Sequence, residues 1–455
     1  MGGGESAMEA LERLMDFEGM KDFYSGKRVL VTGHTGFKGA WLCKILSMMG
    51  AEVYGYSLPP LEAPNLFKLL NLENMMHSII GDIRDFDKLK RCMEAVCPEY
   101  VFHLAAQPIV RESYKIPRET FETNVMGTVN ILECIRMIPG VKSFLNVTTD
   151  KVYENNDIEN HAFIEEDKLD GYDPYSNSKS CSELVTHSYI KSFFQKSGNV
   201  AISTARAGNV IGGGDFAVDR IVPDCVRMTI NGECINIRNP YSVRPYQHVL
   251  EPLKIYLTIV MSQEQKPSLA GFYNVGPDDE DCITTGALAD LFVKYWGEKA
   301  VWNSLAQKEA PHEANYLKLD CTKLKTVFGW KPVWHIDDAV KATVEWYKAW
   351  TDGKELKIYF LVDTDAPLIN AKINVSNAFY HPQRVTILVN GSEVYQEVVE
   401  GAQNIEFAFE NSKTHIICLT MLLPDAVAPS EVMDSNDSRV LGLGLQTMTV
   451  SEAGK

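Results

Sequence analysis

The 455-residue chain is short of positive charge: 44 lysines and arginines stand against 60 aspartates and glutamates, for a formal net charge of −16. A surface of that sign has no broad attraction for nucleic acid or anionic lipid, which excludes both as partners and leaves any anionic ligand to be held by local cations and backbone amides. Paired cysteines are also lacking. The 10 cysteines run from Cys43 to Cys418 with no Cys-x-x-Cys spacing and no cysteine–histidine cluster, so neither a disulfide scaffold nor a metal site is expected, and reduced thiols in a cytoplasmic protein are. No apolar run reaches the roughly 20 residues of a membrane span. The start, Met1-Gly2-Gly3-Gly4-Glu5 and the acidic stretch behind it, has neither the basic flank nor the apolar block of a secretion signal, so residues 1–25 are expected to form a flexible leader and a short helix. Internal repeats and low-complexity tracts are missing as well.

Apolar material is plentiful: 45% of the residues are hydrophobic, enough for two or three cores at roughly 100–200 residues per domain. From Lys27 onward, β-branched runs alternate with helical stretches. Strands are expected at Arg28–Thr32, Glu52–Tyr56, His77–Ile80, Tyr100–Leu104, Ser143–Thr148, Ala201–Arg206 and Phe272–Val275. That order predicts an α/β fold with a doubly wound, Rossmann-type parallel sheet over residues 26–352. Its cofactor-binding core lies mainly in 26–211, and a smaller substrate-binding lobe mainly in 212–352. The helices Pro117–Met137 and Tyr175–Gln195 are apolar around more of their circumference than one sheet-facing stripe needs, which predicts a homodimer through them, with deep burial of the helices as the plainer alternative. Beyond Asp352 short strand-like runs separated by turn residues, among them Asn390-Gly391, predict an all-β sandwich over 355–450.

Chemistry concentrates in three places. The run Gly33-His34-Thr35-Gly36-Phe37-Lys38-Gly39 follows a strand and opens a helix. The first glycine permits a tight turn, the second lets backbone approach a pyrophosphate, and the third lets helix and strand pack closely. The second strand ends in Gly55-Tyr56-Ser57-Leu58, with no acid to hold an adenosine ribose and no arginine for a 2′-phosphate, which favours NAD over NADP. Thr149-Asp150-Lys151 closes a strand where ligands of such sheets bind. Tyr175 precedes Lys179 by one helical turn, so the ammonium can draw the phenol toward neutrality and make it a base. A carboxyl beside that pair suggests loss of water from a sugar. The plainer alternatives are a ligand-free glycine turn, a polar strand end and a solvated Tyr-x-x-x-Lys pair.

With Ala105-Ala106-Gln107-Pro108, Asn124-Val125-Met126-Gly127-Thr128, Arg206-Ala207-Gly208-Asn209-Val210-Ile211-Gly212-Gly213-Gly214-Asp215, Arg244-Pro245-Tyr246-Gln247-His248-Val249 and His312-Glu313-Ala314 added, the stretch from Gly26 to Trp350 resembles the extended short-chain dehydrogenase/reductase family. Within it the resemblance is to the nucleotide-sugar 4,6-dehydratases that act on CDP-glucose. The resemblance implies NAD held by Gly33, Thr35, Gly36, Phe37, Gly39, Asp82, Ile83, Leu104, Ala105, Ala106, Tyr175 and Lys179. It implies a CDP-sugar substrate held by Gln107, Asn209, Arg220 and Arg244, and catalysis by Thr149, Asp150, Lys151, Tyr175 and Lys179 with Asn124 in support. Lys151 occupies the place where many other nucleotide-sugar dehydratases carry the glutamate that takes the C5 proton, a lysine that the resemblance implies for the CDP-glucose branch, and Tyr246 departs from the branch's more usual tryptophan. A 4-epimerase would use the same fold and tyrosine without needing Asp150 and Lys151. Beyond Trp350 the resemblance stops, and the tail resembles accessory β-sandwiches of glycan-assembly enzymes, which implies a glycan or protein partner for it or a purely structural role.

Overall fold

The computed structural model describes residues 17–62, 64–158, 161–305, 316–352, 355–361, 368–378, 383–390, 392–400, 403–410, 416–422 and 443–452. The first sixteen residues of the expected leader, the His312-Glu313-Ala314 motif and Gly391 lie outside them; the later part of the leader contains a helix, Phe17–Tyr24. The described residues fall into two compact units that meet in sequence between Thr343 and Val344.

In the first unit seven parallel strands form one sheet: β1 (Arg28–Thr32), β2 (Glu52–Ser57), β3 (His77–Ile80), β4 (Tyr100–His103), β5 (Ser143–Thr149), β6 (Ala201–Ala207) and β7 (Phe272–Val275). Their spatial order is β7-β6-β5-β4-β1-β2-β3, so the winding reverses between β1 and β4 and opens a crevice at their carboxyl ends. The expected strands therefore appear within a residue of their expected bounds. β5 and β6 are buried at every position, because helices cover both faces of a parallel sheet and only apolar or small, bonded side chains fit there. The helices that matter for the site are α1 (Phe37–Met48), α2 (Phe86–Val96), α3 (Gly127–Met137), α4 (Pro174–Tyr189) and α5 (Leu250–Gln265). Leu89, Met93, Ile131 and Ile135 of α2 and α3 pack with Leu30, Val101 and Phe144 of the sheet into one core.

Local chemistry explains how α4 begins. Asp173 accepts a hydrogen bond from the backbone N–H of Ser176 at the N-terminus, and Pro174 occupies the first turn where no amide partner is needed. Two stretches depart from regular α-helix. Residues Glu122–Met126, just before α3, and Ile190–Phe194, just after α4, form π-helical turns. Such turns rotate the side chains that follow and often mark sites of function; the first of them carries Asn124.

The smaller lobe is built from two-stranded ribbons rather than a sheet of its own. Val243–Pro245 pairs antiparallel with Cys282–Thr284, and Gln247–His248 runs parallel to Val210–Ile211. These short pairings bring the segments carrying Asn209 and Arg244 over the ends of the large sheet.

The second unit holds β8 (Glu355–Leu361), β9 (Leu368–Ala378), β10 (Gln383–Val389), β11 (Ser392–Val399), β12 (Gln403–Glu410), β13 (Ile416–Leu422) and β14 (Leu443–Glu452). They make two antiparallel sheets, ordered β8-β13-β10-β11 and β12-β9-β14. Val389 pairs with Ser392 and Asn390 has φ +49°, the left-handed conformation that a two-residue hairpin asks of its first turn residue. Along β12, Ile405, Phe407 and Phe409 are buried while Asn404, Glu406, Ala408 and Glu410 are exposed, the period of two expected where one face of a sheet is covered.

Candidate active site

The crevice opens into a cavity of 1170 Å³ lined from the ends of β1, β2, β4, β5 and β6 and from the smaller lobe. That is more than one ordinary ligand pocket, which runs to about 300–1,000 Å³, and leaves room for two ligands side by side. All the expected site residues line it except Asn124, which stands directly behind the wall.

One end is a cradle made by the glycines. Gly33 has φ +76°, and a Cβ there would stand 2.8 Å from the Ala105 nitrogen; a Cβ on Gly39 would stand 2.1 Å from the Gly33 carbonyl oxygen. Neither position tolerates a side chain, since the atoms met are backbone. Gly36, by contrast, is exposed toward the cavity and caps α1 without a side-chain bond, so the amides of the first turn face an open space suited to an anion. The Thr35 hydroxyl bonds the Ser57 hydroxyl at 2.9 Å and donates to the Leu58 carbonyl at 3.0 Å, tying this loop to the end of β2. The cradle thus fits a dinucleotide by its own geometry. Asp82 and Ile83 line it further along, but the Asp82 carboxylate is taken up by Arg84 in a two-pronged pair with contacts of 2.6–3.0 Å. What Asp82 offers the cavity beyond that pair is its place in the wall. Leu104, Ala105 and Ala106 line the cavity as well.

At the other end, Thr149 closes β5 and starts a single turn, Asp150–Val152, by accepting from the Lys151 amide. Its hydroxyl donates to Asp150 Oδ1 at 2.9 Å. Asp150 is 2% exposed and its Oδ2 has no hydrogen-bond partner. Burial raises this carboxyl above the usual range, against the pull of Lys151, Thr149, Arg244 and Lys38. Tyr175 and Lys179 come from one face of α4, as their spacing requires. The Lys179 ammonium donates to the Val147 carbonyl at 3.1 Å, and burial brings it down to about 8 although Glu183 acts the other way. The phenol of Tyr175 departs from expectation. Burial pushes it up to about 12, the Thr149 hydroxyl counteracting only in part. Spacing alone makes Lys179 a neighbour; it does not show how completely the wall closes over the ring.

Asn124 reaches α4, the helix that carries Tyr175 and Lys179, directly. Its side-chain oxygen accepts from the Gln107 amide at 2.8 Å, and its nitrogen donates to the Gln107 carbonyl and to Ser178 Oγ. Ser178 in turn donates to the Tyr175 carbonyl. Gln107 itself folds back: its side chain bonds Thr120 and both the carbonyl and the amide of Ile109, so it shapes its own loop instead of reaching across the cavity. Arg244 is buried and donates to the Val243 carbonyl, while the partly exposed Arg220 pairs with Asp215 at 2.9 Å. Asn209 sits between them and the sheet, its carbonyl accepting from the Gln247 amide.

One residue escaped the sequence reading as a site residue. Lys38, in the first turn of α1, lines the same cavity, with its nitrogen 5.9 Å from the Tyr256 ring centre. Burial, then the charges of Arg220 and Lys179, bring it down to about 7, with Asp150 acting in the opposite sense. Its place inside the glycine motif was visible; the reach of its side chain to the catalytic end was not.

A family profile described as GDP-mannose 4,6 dehydratase matches residues 30–343. The chain belongs to this family. It is 48% identical over 345 residues to the CDP-glucose 4,6-dehydratase of Salmonella typhimurium, a match covering 74% of this chain and 95% of that protein. It is 28% identical to a probable dTDP-glucose 4,6-dehydratase of Sinorhizobium fredii, covering 70% and 92%. Among solved structures, the dTDP-glucose 4,6-dehydratase of Bacillus anthracis in complex with NAD superposes with a TM-score of 0.59 at 21% identity, over 71% of this chain and 97% of that one. The UDP-glucuronic acid 4-epimerase of Bacillus cereus gives 0.61 at 23%, over 70% and 98%. At these identities the structures speak for the fold, which dehydratases and epimerases share.

Proposed function

We propose that the chain is an NAD-dependent lyase that removes water across C5 and C6 of a nucleotide-activated hexose, converting CDP-D-glucose to CDP-4-dehydro-6-deoxy-D-glucose, a step toward deoxysugars of surface polysaccharides. The observation that carries this reading over epimerisation is Asp150: a buried carboxyl, raised by that burial, with one oxygen free of partners beside Thr149 and in the same cavity as Tyr175. An epimerase has no use for a proton donor there. The 48% identity to a CDP-glucose 4,6-dehydratase supports the choice of nucleotide.

NAD in the glycine cradle would supply the acceptor for a sugar hydride and later its donor. The residues do the rest. Tyr175, whose phenol burial keeps protonated in the ligand-free protein and which must give up that proton before it acts as a base, takes the proton of the C4 hydroxyl, with Thr149 hydrogen-bonding the same oxygen, while Lys179 would hold the ribose side of the cofactor. The resulting ketone acidifies C5. Lys151, next to Asp150 and lining the cavity, is placed in this reading to take the C5 proton or to steady the enolate, while Asp150 delivers its proton to the departing C6 hydroxyl. Arg244, Arg220 and Asn209 face the diphosphate, for which the guanidinium fork is suited.

The same proposal includes a homodimer and a division of labour. Met126, Leu184 and Phe193 on the helical segments around α3 and α4 are 49%, 52% and 46% exposed, apolar surface that a second copy would cover. Residues 26–352 are taken as the catalytic part and 355–450 as an accessory part with a glycan or protein partner. None of the described helices is long and apolar enough to cross a membrane, and the nine cysteines whose side chains are described are free thiols, which supports a cytoplasmic setting. Incubating the protein with CDP-, dTDP-, GDP- and UDP-glucose and weighing the products tests the central claim: the expected product is lighter by one water and forms fastest from CDP-glucose, whereas products of unchanged mass would turn the reading toward epimerisation.

A further inference from the structure

Behind the catalytic wall lies a charged pair that the chemistry above does not use. Glu183 follows Lys179 by one turn of α4, on the face already occupied by Tyr175 and Lys179, and it is fully buried; Arg206, on β6, is 1% exposed. Arg206 Nη2 stands 3.2 Å from Glu183 Oε2, the Thr204 hydroxyl donates to the same oxygen at 2.8 Å, and the Thr148 hydroxyl donates to Oε1 at 2.5 Å. Thr148 is the residue immediately before Thr149. The Arg206 Nη1 reaches the Tyr153 hydroxyl at 2.9 Å and the Glu165 carbonyl at 2.8 Å, and Tyr153 continues to Asn274 on β7 at 2.5 Å. One carboxylate therefore joins the catalytic helix, the catalytic strand end and β6, and through Arg206 the next strand as well. Burying two charges is costly unless their geometry is well satisfied, and a purely apolar filling would pack these elements as well.

We propose that Glu183, fixed by Arg206, Thr148 and Thr204, is a positioning residue for the dehydration: it locks the Thr149–Asp150 strand end to the Tyr175–Lys179 helix and supplies the fixed negative charge against which the Lys179 ammonium works. The proposal rests on the functional reading given above. Its electrostatic side is consistent with the surroundings. Burial alone would raise the Glu183 carboxyl, but the Arg206 charge and the hydrogen bonds from its neighbours hold it down at about 2, so it is a permanent anion. Lys179 faces Lys38 from α1 and His103 from β4, and the effect of the lysine charge is felt at both; Asp150 and Tyr175 share its cavity wall. Of these, Lys38 adds positive charge, His103 is held neutral by burial, and Asp150 is drawn toward its neutral form. Glu183, whose own close neighbours are Arg206 and the His187 imidazole at 3.4 Å, is the anion whose charge acts on Lys179.

The test is the double variant Glu183→Gln/Arg206→Met, which removes both charges while keeping volume, so that no single charge is left buried. Two readouts are followed against pH: kcat/KM for CDP-glucose, and acetylation of Lys179 in the ligand-free protein by dilute acetic anhydride, read by mass spectrometry. The expected result is a Tm near that of the parent with both midpoints displaced to lower pH by several tenths of a unit, less than the roughly one to three units of a lone nearby charge because the Arg206 charge leaves with that of Glu183. Unmoved midpoints in a folded double variant would make the pair a packing device and overturn the proposal. Should the double variant not fold, Glu183→Asp keeps the charge but shortens the tether: it is expected to lose kcat while holding the parent midpoints, and a displacement of several tenths of a unit in it overturns the proposal as well. If the parent protein releases no water from CDP-glucose, the functional reading fails on its own, and the labelling midpoint still reports on Glu183.

Discussion

Replacing Asp150 by asparagine separates binding, the first proton transfer and elimination. Asparagine keeps an oxygen where Asp150 Oδ1 accepts from Thr149 at 2.9 Å, so the turn after β5 should persist. What it lacks is a proton to give. A positioned general acid contributes about 10²–10⁴-fold, or about 3–5 kcal/mol of barrier, and all of that loss should fall on departure of the C6 hydroxyl. In a single-turnover mixture followed by nicotinamide absorbance, Asp150→Asn should therefore build up reduced cofactor that the parent protein consumes as fast as it forms. Stability gives an independent check. The Asp150 carboxyl is raised by burial, so the parent is most stable with respect to this group below the unfolded value of about 3.9 and loses that contribution as pH climbs to the folded value. Asparagine carries no such dependence. The Tm of the variant relative to the parent should rise between acid and neutral pH. An unchanged turnover rate with no accumulated reduced cofactor would refute Asp150 as the acid, whatever the Tm does.

Tyr175→Phe should lower turnover by about 10²–10⁴-fold with cofactor binding largely kept, since only the hydroxyl is lost; near-parent turnover in a steady-state assay would remove Tyr175 from its role. Lys151→Met should suppress elimination while the first hydride transfer survives in part, and the parent reaction run in heavy water should place deuterium at C5 of the product, read by mass spectrometry; elimination at the parent rate would leave Lys151 a structural cation. Gly39→Ala sets a methyl against the Gly33 carbonyl oxygen at 2.1 Å, overpacking that costs on the order of 1–3 kcal/mol, so calorimetry should show weaker NAD binding and a lower Tm; unaltered binding would mean the loop yields without consequence.

The parts of this protein that could be read from its residues are those whose cause is local. Val29, Val31, Val101 and Phe144 sit in strands that are covered on both faces, and such strands read as short apolar runs whatever surrounds them. The glycines at 33 and 39 announce a close approach of backbone to backbone, and the contacts they would otherwise make bear out that reason. Thr149 and Asp150 could be placed at a strand end because the crevice of a doubly wound sheet always lies there. Other features depend on what closes over a side chain from a distant part of the chain. Spacing on a helix shows Tyr175 beside Lys179 but not the burial that carries the phenol up to about 12. The resemblance places Asp82 beside the cofactor but does not show Arg84, two residues away, folded onto its carboxylate, and Gln107 spends its amide on its own loop. The π-turn that sets Asn124 against Ser178 has no simple signature in composition.

Lys38 and Glu183 mark the boundary most clearly. Both lie in segments singled out for other reasons, one inside the glycine motif and the other one turn beyond Lys179. Their partners belong to separate elements: Lys38 approaches Tyr256 on α5, and Glu183 meets Arg206 across the sheet, 23 residues on in the chain. A family with one fold can host oxidation, epimerisation or water loss because the cradle and the tyrosine–lysine pair are common property; what distinguishes the reactions is the charge arranged around that pair. Here Lys38, Lys151, Lys179, Arg220 and Arg244 face one cavity together with the raised carboxyl of Asp150. Burial keeps Asp150 raised there against the pull of those cations, and among the described residues with a lowered carboxyl, Glu183 is the one that acts on Lys179. If Asp150 is the acid of the proposed reaction, the two carboxyls divide the work: Glu183 stays charged among Arg206, Thr148 and Thr204, while burial holds Asp150 toward its neutral form.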